Sequence, residues 1–222
     1  MELTQEIAYL VGFIGGDGNL SERRTALIDK NLEFHKTVLR KKFEKAFGIV
    51  PIISPMKTRK GRTTYRSRVN SKEIHAMFSE NLRIPIRNKT FEMKTPQEIT
   101  DSSKEIFSEY IKGWMDAEGW VTTKTTIRKT KTYVYPKIAF NVANKCIRDE
   151  LVAMLRKIGI EPSIWKSGNM LGFQIIGFEK VNRYEELVGF EHPDKIRKLH
   201  ILFARGQTRP TMRRTMGCNT VR

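Results

Sequence analysis

The sequence predicts an α/β fold of the α+β kind, built as a pseudo-twofold pair of αββαββα halves on one chain. Three observations carry that expectation. Tyr9-Leu10-Val11-Gly12-Phe13-Ile14-Gly15-Gly16-Asp17-Gly18 recurs as Tyr110-Ile111-Lys112-Gly113-Trp114-Met115-Asp116-Ala117-Glu118-Gly119. Later segments repeat in the same order: Phe47-Gly48-Ile49-Val50-Pro51-Ile52-Ile53 is echoed by Ile158-Gly159-Ile160-Glu161-Pro162-Ser163-Ile164, and Asp29-Lys30 by Asn144-Lys145. Between these segments, hydrophobic residues alternate with the period of strands.

Each half therefore reads as an apolar helix carrying the repeated motif, a hairpin, an amphipathic helix, a second hairpin and another helix. In the second half Ile147, Leu151, Met154, Leu155 and Ile158 recur at helical spacing and Gly159 supplies the stop. Ile138, Phe140 and Val142 point one way and Lys137, Ala139 and Asn141 the other, which suits a sheet with one buried face. Tyr65, Ser67 and Val69 alternate with Arg66 and Arg68 in the same manner. A polar stretch at Lys94-Thr95-Pro96-Gln97 joins the halves, and Ser102 and Glu105 have capping-box spacing before the second motif helix. The boundaries that follow are 1–95, 96–191 and a basic tail at 192–222, where eight Lys or Arg accompany Asp194 as the sole acid.

The 222 residues are 39% hydrophobic, enough to bury a sizeable core. Forty-one Lys and Arg against 24 Asp and Glu leave a formal net charge of +17, which points to a polyanionic partner, nucleic acid first. Cys146 and Cys218 form no C-x-x-C pair, which argues against a zinc site or a disulfide scaffold and for a reducing compartment. The start has no basic leader, and the longest apolar run, Ile7–Ile14, is far short of the roughly 20 residues of a membrane span. A soluble intracellular protein is expected.

Gly12 and Gly16 are spaced like Gly113 and Ala117, so each motif helix presents a small-residue stripe through which the two can pack closely. Asp17 and Glu118 end these helices, each beside a glycine, and close packing would bring both carboxylates to one spot. Carboxylates at the negative ends of helix dipoles repel one another and call for a cation. Mg²⁺ suits the site because it takes one or two carboxylates and completes its shell with water and phosphate oxygens. Such a centre hydrolyses phosphodiesters.

The two motifs resemble the signature helices of the LAGLIDADG homing endonucleases in their monomeric, two-motif form, over a resemblance running from about Thr4 to about Phe190. The resemblance implies two antiparallel sheets forming a saddle over the major groove of double-stranded DNA, and a staggered cut of both strands. It implies that Asp17 and Glu118 bind two or three Mg²⁺ ions, with Mn²⁺ or Ca²⁺ able to substitute, helped by the carbonyls of Gly16 and Ala117. Lys30 and Lys145 fall where the family keeps basic residues that assist hydrolysis. The chain's own intron RNA is a further candidate partner. Gly15 departs from the family pattern, where an acid is more usual, which bears on helix packing.

Major-groove readers need Arg for guanine and Asn or Gln for adenine. Arg66, Arg68, Asn141 and Gln174 fall on outward strand faces, and Arg23, Arg24, Lys137 and Lys166 extend the candidate DNA surface. Lys57, Arg59, Lys60 and Arg62 crowd one hairpin tip, and Lys124, Arg128, Lys129 and Lys131 another, as reach toward phosphates requires. The chief competing function is a non-cutting member of the same fold, an RNA maturase or a DNA-binding regulator. Glu92-Met93-Lys94 has the E-x-K spacing of another nuclease class but no strand pattern to support it. An intein would need a starting Cys or Ser and a terminal His-Asn, which the sequence does not show.

Overall fold

Thr4 accepts a hydrogen bond from the Ile7 amide and so starts α1 (Gln5–Asp17), in which every residue from Ile7 to Gly15 is buried. A helix apolar on all sides belongs at the centre of a fold. The computed structural model describes residues 2–21, 23–86, 89–129 and 131–206. Hairpin β1 (Gly18–Ser21) and β2 (Arg24–Asp29) follows α1. Asn31 then caps α2 (Leu32–Phe34), which continues through a π-helical stretch (His35–Leu39) into α3 (Arg40–Phe47). Hairpin β3 (Ile52–Lys57) and β4 (Thr63–Asn70) leads to α4 (Lys72–Ala76), extended by π-helical Met77–Asn81.

The second half repeats this order after two short linker helices, α5 (Lys89–Glu92) and α6 (Gln97–Thr100). It contains α7 (Lys104–Glu118), β5 (Gly119–Arg128), β6 (Lys131–Val142), α8 (Lys145–Lys157), β7 (Ser163–Ser167), β8 (Met170–Ile176) and α9 (Phe178–Leu187). Each half forms one four-stranded antiparallel sheet, in the orders β1-β2-β4-β3 and β5-β6-β8-β7. The duplicated plan expected from the sequence is therefore present. From residue 193 the chain forms a further helix, α10 (Pro193–Gly206), with Leu199 buried, and Cys218 lies outside the described residues. No helix among the described residues is long and apolar enough to cross a membrane.

The α7 start differs from the expected capping box. Its cap is Ser103, which makes no side-chain cap bond, and the Ser102 hydroxyl donates instead to the Ile99 carbonyl of the preceding turn. The linker is fastened to the second half, since the Thr95 amide and hydroxyl both donate to Glu150 and the Asn144 amide donates to the Met93 carbonyl.

The motif helices cross backbone to backbone. A Cβ on Gly12 would overlap the Tyr110 carbonyl oxygen, and one on Gly113 would overlap that of Tyr9. Gly15 faces the Trp114 indole, which fills the space an acid there would need. At the equivalent place in the other motif stands Asp116, whose carboxylate accepts from the Tyr9 hydroxyl at 2.8 Å. Gly18 and Gly119 end their helices in extended backbone, so they are required by closeness and not by a left-handed turn. A Cβ on Gly18 would lie 2.4 Å from the Ile14 Cα. Because overpacking a closed core costs about 1–3 kcal/mol, Gly12→Ala and Gly113→Ala should each lower the melting temperature by about 3–10 °C. Scanning calorimetry beside Thr132→Ala, an exposed control, checks this; a glycine variant that melts with the control would refute the contact.

Candidate active site

Asp17 and Glu118 stand at the last residues of α1 and α7, where the crossing helices bring them together. A Cβ on Gly16 would lie 2.6 Å from the Ala117 Cβ and 3.5 Å from Glu118 Oε1, so the second acid reaches across the end of the first helix. Burial and then the Glu118 charge raise the Asp17 pKa from 3.8 to about 7, with Asp29 adding to the effect. Burial likewise raises Glu118, against the pull of Lys89 and Lys195. Asp17 is nevertheless exposed on its outer side, so water screens part of this repulsion.

Two lysines close the same helix ends. The Lys89 ammonium donates to the carbonyls of Ile14 (2.7 Å), Gly16 (2.7 Å) and Gly18 (2.6 Å). Lys195 donates to those of Met115 (2.7 Å), Asp116 (2.5 Å) and Ala117 (3.5 Å). Each places three donors and a positive charge at the negative end of a helix dipole. Burial brings both pKa values down to about 8, although the surrounding carboxylates pull them upward.

A strap after α9 binds the halves around this centre. The Glu191 and His192 amides donate to Asp116 at 3.0 and 3.2 Å. His192 packs on Phe34 with ring centroids 4.6 Å apart. Its Nδ1 accepts from the Asp194 amide, which leaves Nε2 to donate to Asp29 at 3.3 Å. Burial pushes Asp29 upward, but His192 and the Asn31 amide outweigh it and hold the carboxyl below its ordinary range.

The donor set suits a hard divalent cation. Among the described residues no group of three or more His, Cys, Asp or Glu could hold a metal. Two carboxylates under mutual repulsion, with main-chain carbonyls beside them, leave the remaining positions to water and phosphate, as Mg²⁺ prefers. The Gly16 and Ala117 carbonyls accept from Lys89 and Lys195 here, so the same oxygens serve as seats for positive charge.

Lys30 and Lys145 are not equivalents. The matching positions are the caps Asn31 and Asn144, which accept from the Phe34 and Ile147 amides. Lys30 therefore precedes its cap while Lys145 follows its own. Both are exposed, and Lys145 is paired with Asp149 at 2.9 Å. The lysines at the helix ends beside the carboxylates are Lys89 and Lys195, which bond the main-chain carbonyls there and which sequence reasoning missed. Each follows a proline soon after its half's last long helix, in Pro85-Ile86-Arg87-Asn88-Lys89 and Pro193-Asp194-Lys195, a faint repeat beyond the hairpins.

Strand register sorts the candidate surface residues. Arg24, Arg66, Arg68, Lys124, Arg128, Lys131, Lys137, Asn141 and Gln174 lie on the sheet faces opposite the buried Leu27, Val69, Ile138 and Phe173. Lys57 and Lys166 are corrected to the other face: Lys57 pairs with Thr63 in the parity of Ser67, and Lys166 with Leu171 in the parity of Phe173. Arg23 and Arg59 sit in hairpin turns. The eight strands contain nine Lys or Arg and a single acid, Asp29.

Paired acidic motif helices between two four-stranded antiparallel sheets make this chain similar, in motif and fold, to the LAGLIDADG homing endonucleases in their single-chain, two-motif form. Residues 105–189 match the family described as LAGLIDADG-like domain. The chain is 25% identical over 162 residues to the homing endonuclease I-ApeI of Aeropyrum pernix, covering 70% of this chain and 68% of that one. It is also 26% identical over 208 residues to a Methanocaldococcus jannaschii glutamine–fructose-6-phosphate aminotransferase, matching 90% of this chain. The chain spans only 17% of that longer protein, whose name carries no argument about this segment. In fold it is similar to I-DmoI in complex with DNA and Mn, at a TM-score of 0.58 and 17% identity, covering 85% of this chain and 98% of that one. I-WcaI bound to its DNA recognition sequence gives 0.60 and 16%, covering 90% and 88%.

The raised pKa of Asp17 has a sign that can be measured. A carboxyl whose folded pKa (about 7) exceeds its unfolded value (3.8) costs no stability below pH 4, costs progressively more as pH rises to 7, and stays costly above. In metal-free buffer Asp17→Asn should therefore melt about 2–6 °C above wild type at pH 8, with the gain vanishing near pH 4. Equal gains at both pH values would contradict the charge-repulsion account.

Proposed function

We propose that this protein is a site-specific DNA endonuclease that hydrolyses one phosphodiester on each strand of a long asymmetric duplex site, using divalent metal ions. The observation that carries the reading is the meeting of Asp17 and Glu118 at crossed helix ends, between two sheets whose strands hold nine bases and one acid. Two carboxylates raised by burial and repulsion are stabilised by cations, and a floor rich in Lys and Arg attracts phosphates.

Asp17 and Glu118 hold the metals, with the Gly16 and Ala117 carbonyls as further oxygen donors. When bound, such ions supply an activated water and neutralise the charge of an in-line displacement. The paired helices bring both acids to one place, so that each strand of the duplex is presented to the same centre. Lys89 and Lys195 take over the role first assigned to Lys30 and Lys145. With pKa values near 8 they can give or take a proton close to neutral pH, and their ammonium groups stabilise negative charge on the phosphate. One copy of the chain carries both acids and both lysines, so a monomer suffices.

Asp17→Asn and Glu118→Gln should each abolish cutting of both strands while leaving affinity for a recognised duplex within about tenfold, because these acids hold metal and read no bases. Cleavage and gel-shift assays with Mg²⁺ and with EDTA test this, and near-normal cutting by either variant removes the assignment. Lys89 and Lys195 belong to separate halves, so Lys89→Met and Lys195→Met should each slow one strand by about 10²- to 10⁴-fold, and the opposite strand much less. Lys145→Met should cut almost normally. A strand-resolved time course on end-labelled duplex decides; uniform slowing of both strands would assign these lysines to folding alone.

A further inference from the structure

The two sheets offer different chemistry to whatever lies against them. On the first, Arg24 pairs with Asn70, Ala26 with Arg68 and Ile28 with Arg66, all on the face away from the helices. The Nε atoms of Arg66 and Arg68 are buried without a hydrogen-bond partner among the described residues. These guanidiniums are held in place against the sheet with bonding capacity to spare. Asn19 and Asn70 share this face with the aliphatic Ile28 and the exposed Ile52, but no Tyr or Trp does, because Tyr65 has the parity of buried Ser67 and Val69.

The second sheet adds aromatic rings to a comparable set of amides and bases, the bases including Lys137 beside Thr122. Trp120 pairs with Ala139, and Ala139 with Gln174. Tyr135 stands beside Lys124 and Tyr133 beside Thr126. Asn141 pairs with Gly172, which pairs with Trp165. All have the parity opposite to Val121, Ile138, Phe140 and Phe173, which are buried under the helices. The Trp165 ring lies over Gly172 so closely that any Cβ there would overlap it, which fixes the indole flat on the sheet. The one Arg in these strands, Arg128, lies at the hairpin tip beside Lys131.

Base edges in the major groove respond to these groups differently. A guanidinium reads the O6 and N7 of guanine, an amide reads the N6 and N7 of adenine, and an apolar surface is complementary to the thymine methyl. We infer that the recognised duplex is itself two-sided: guanines lie under Arg66 and Arg68 of the first sheet, and thymines under the aromatic rings of the second. Thymine methyls meet Trp120, Tyr135 and Trp165, and adenines meet Asn141 and Gln174. Lys124, Arg128 and Lys131 then serve the phosphates at the far end. This inference rests on the duplex-binding reading above and extends it to sequence preference.

The test uses the full chain in EDTA, selecting bound duplexes from a library randomised over more than two helical turns. Orientation is set by hydroxyl-radical cleavage from iron–EDTA tethered to Lys60→Cys or Lys129→Cys, in a Cys146→Ser, Cys218→Ser background. Guanines should gather on the side cut from position 60 and thymine–adenine pairs on the side cut from position 129. Replacing thymine by deoxyuridine removes only the methyl. It should weaken unmodified protein about fourfold per methyl contacted by these rings in the second half-site, and less in the first. Arg66→Ala with Arg68→Ala should erase the guanine preference alone. Half-sites of equal composition, the reverse polarity, or indifference to deoxyuridine would overturn the inference while leaving duplex binding intact. Failure to enrich any duplex would bring down both.

Discussion

The contact of two helix backbones through glycine governs this structure. Gly12 and Gly113 each face a carbonyl of the opposite helix, and any side chain there would hold the helices apart. Glycine within a helix costs about 0.5–1 kcal/mol relative to alanine. The cost is offset by the large side chains that the crossing buries, among them Tyr9, Phe13, Tyr110 and Trp114. Once the helices touch, their ends have no freedom to diverge. Two negative dipole ends and two carboxylates share one small volume, and Lys89 and Lys195 become electrostatic necessities at the same place.

Symmetry is kept where the chemistry needs a pair and relaxed elsewhere. The acids, the small-residue stripe, the capping lysines and the sheets come in twos. Gly15 faces the Trp114 indole, whereas its counterpart Asp116 accepts from the Tyr9 hydroxyl, so one motif fills with an aromatic the space that the other gives to a carboxylate. Asp116 is fully buried, and burial raises its pKa despite the Lys195 charge and the amides of the strap. Among the described residues the strap has a single copy. By tying Asp116 of the second half to Asp29 of the first through His192, it gives the two halves a polar joint beside their apolar one.

What could be read from sequence divides along the range of the interactions. The duplicated plan, the parity of Arg66 and Arg68 and of Ile138 and Phe140, and the meeting of Asp17 with Glu118 depend on local period and on a repeat. All are visible without coordinates. Lys89 and Lys195 reach their carbonyls from more than 70 positions away, and only a proline shortly before each separates them from solvated lysines. Lys30 and Lys145 misled because matching dipeptides were aligned by residue type, whereas Asn31 and Asn144 fix the true register by capping their helices. Lys57 and Lys166 show a smaller failure of the same kind, since basic character suggests a surface and only parity says which one.

Lys195 and His192 lie beyond both sheets in the order of synthesis. A ribosome making this chain completes the first half, both motif helices and all eight strands before either residue emerges. Until then the paired acids lack one of their two resident cations, and the halves lack their polar joint. The centre is therefore assembled last, and a nascent or prematurely ended chain would carry both sheets around an unfinished pair of helix ends.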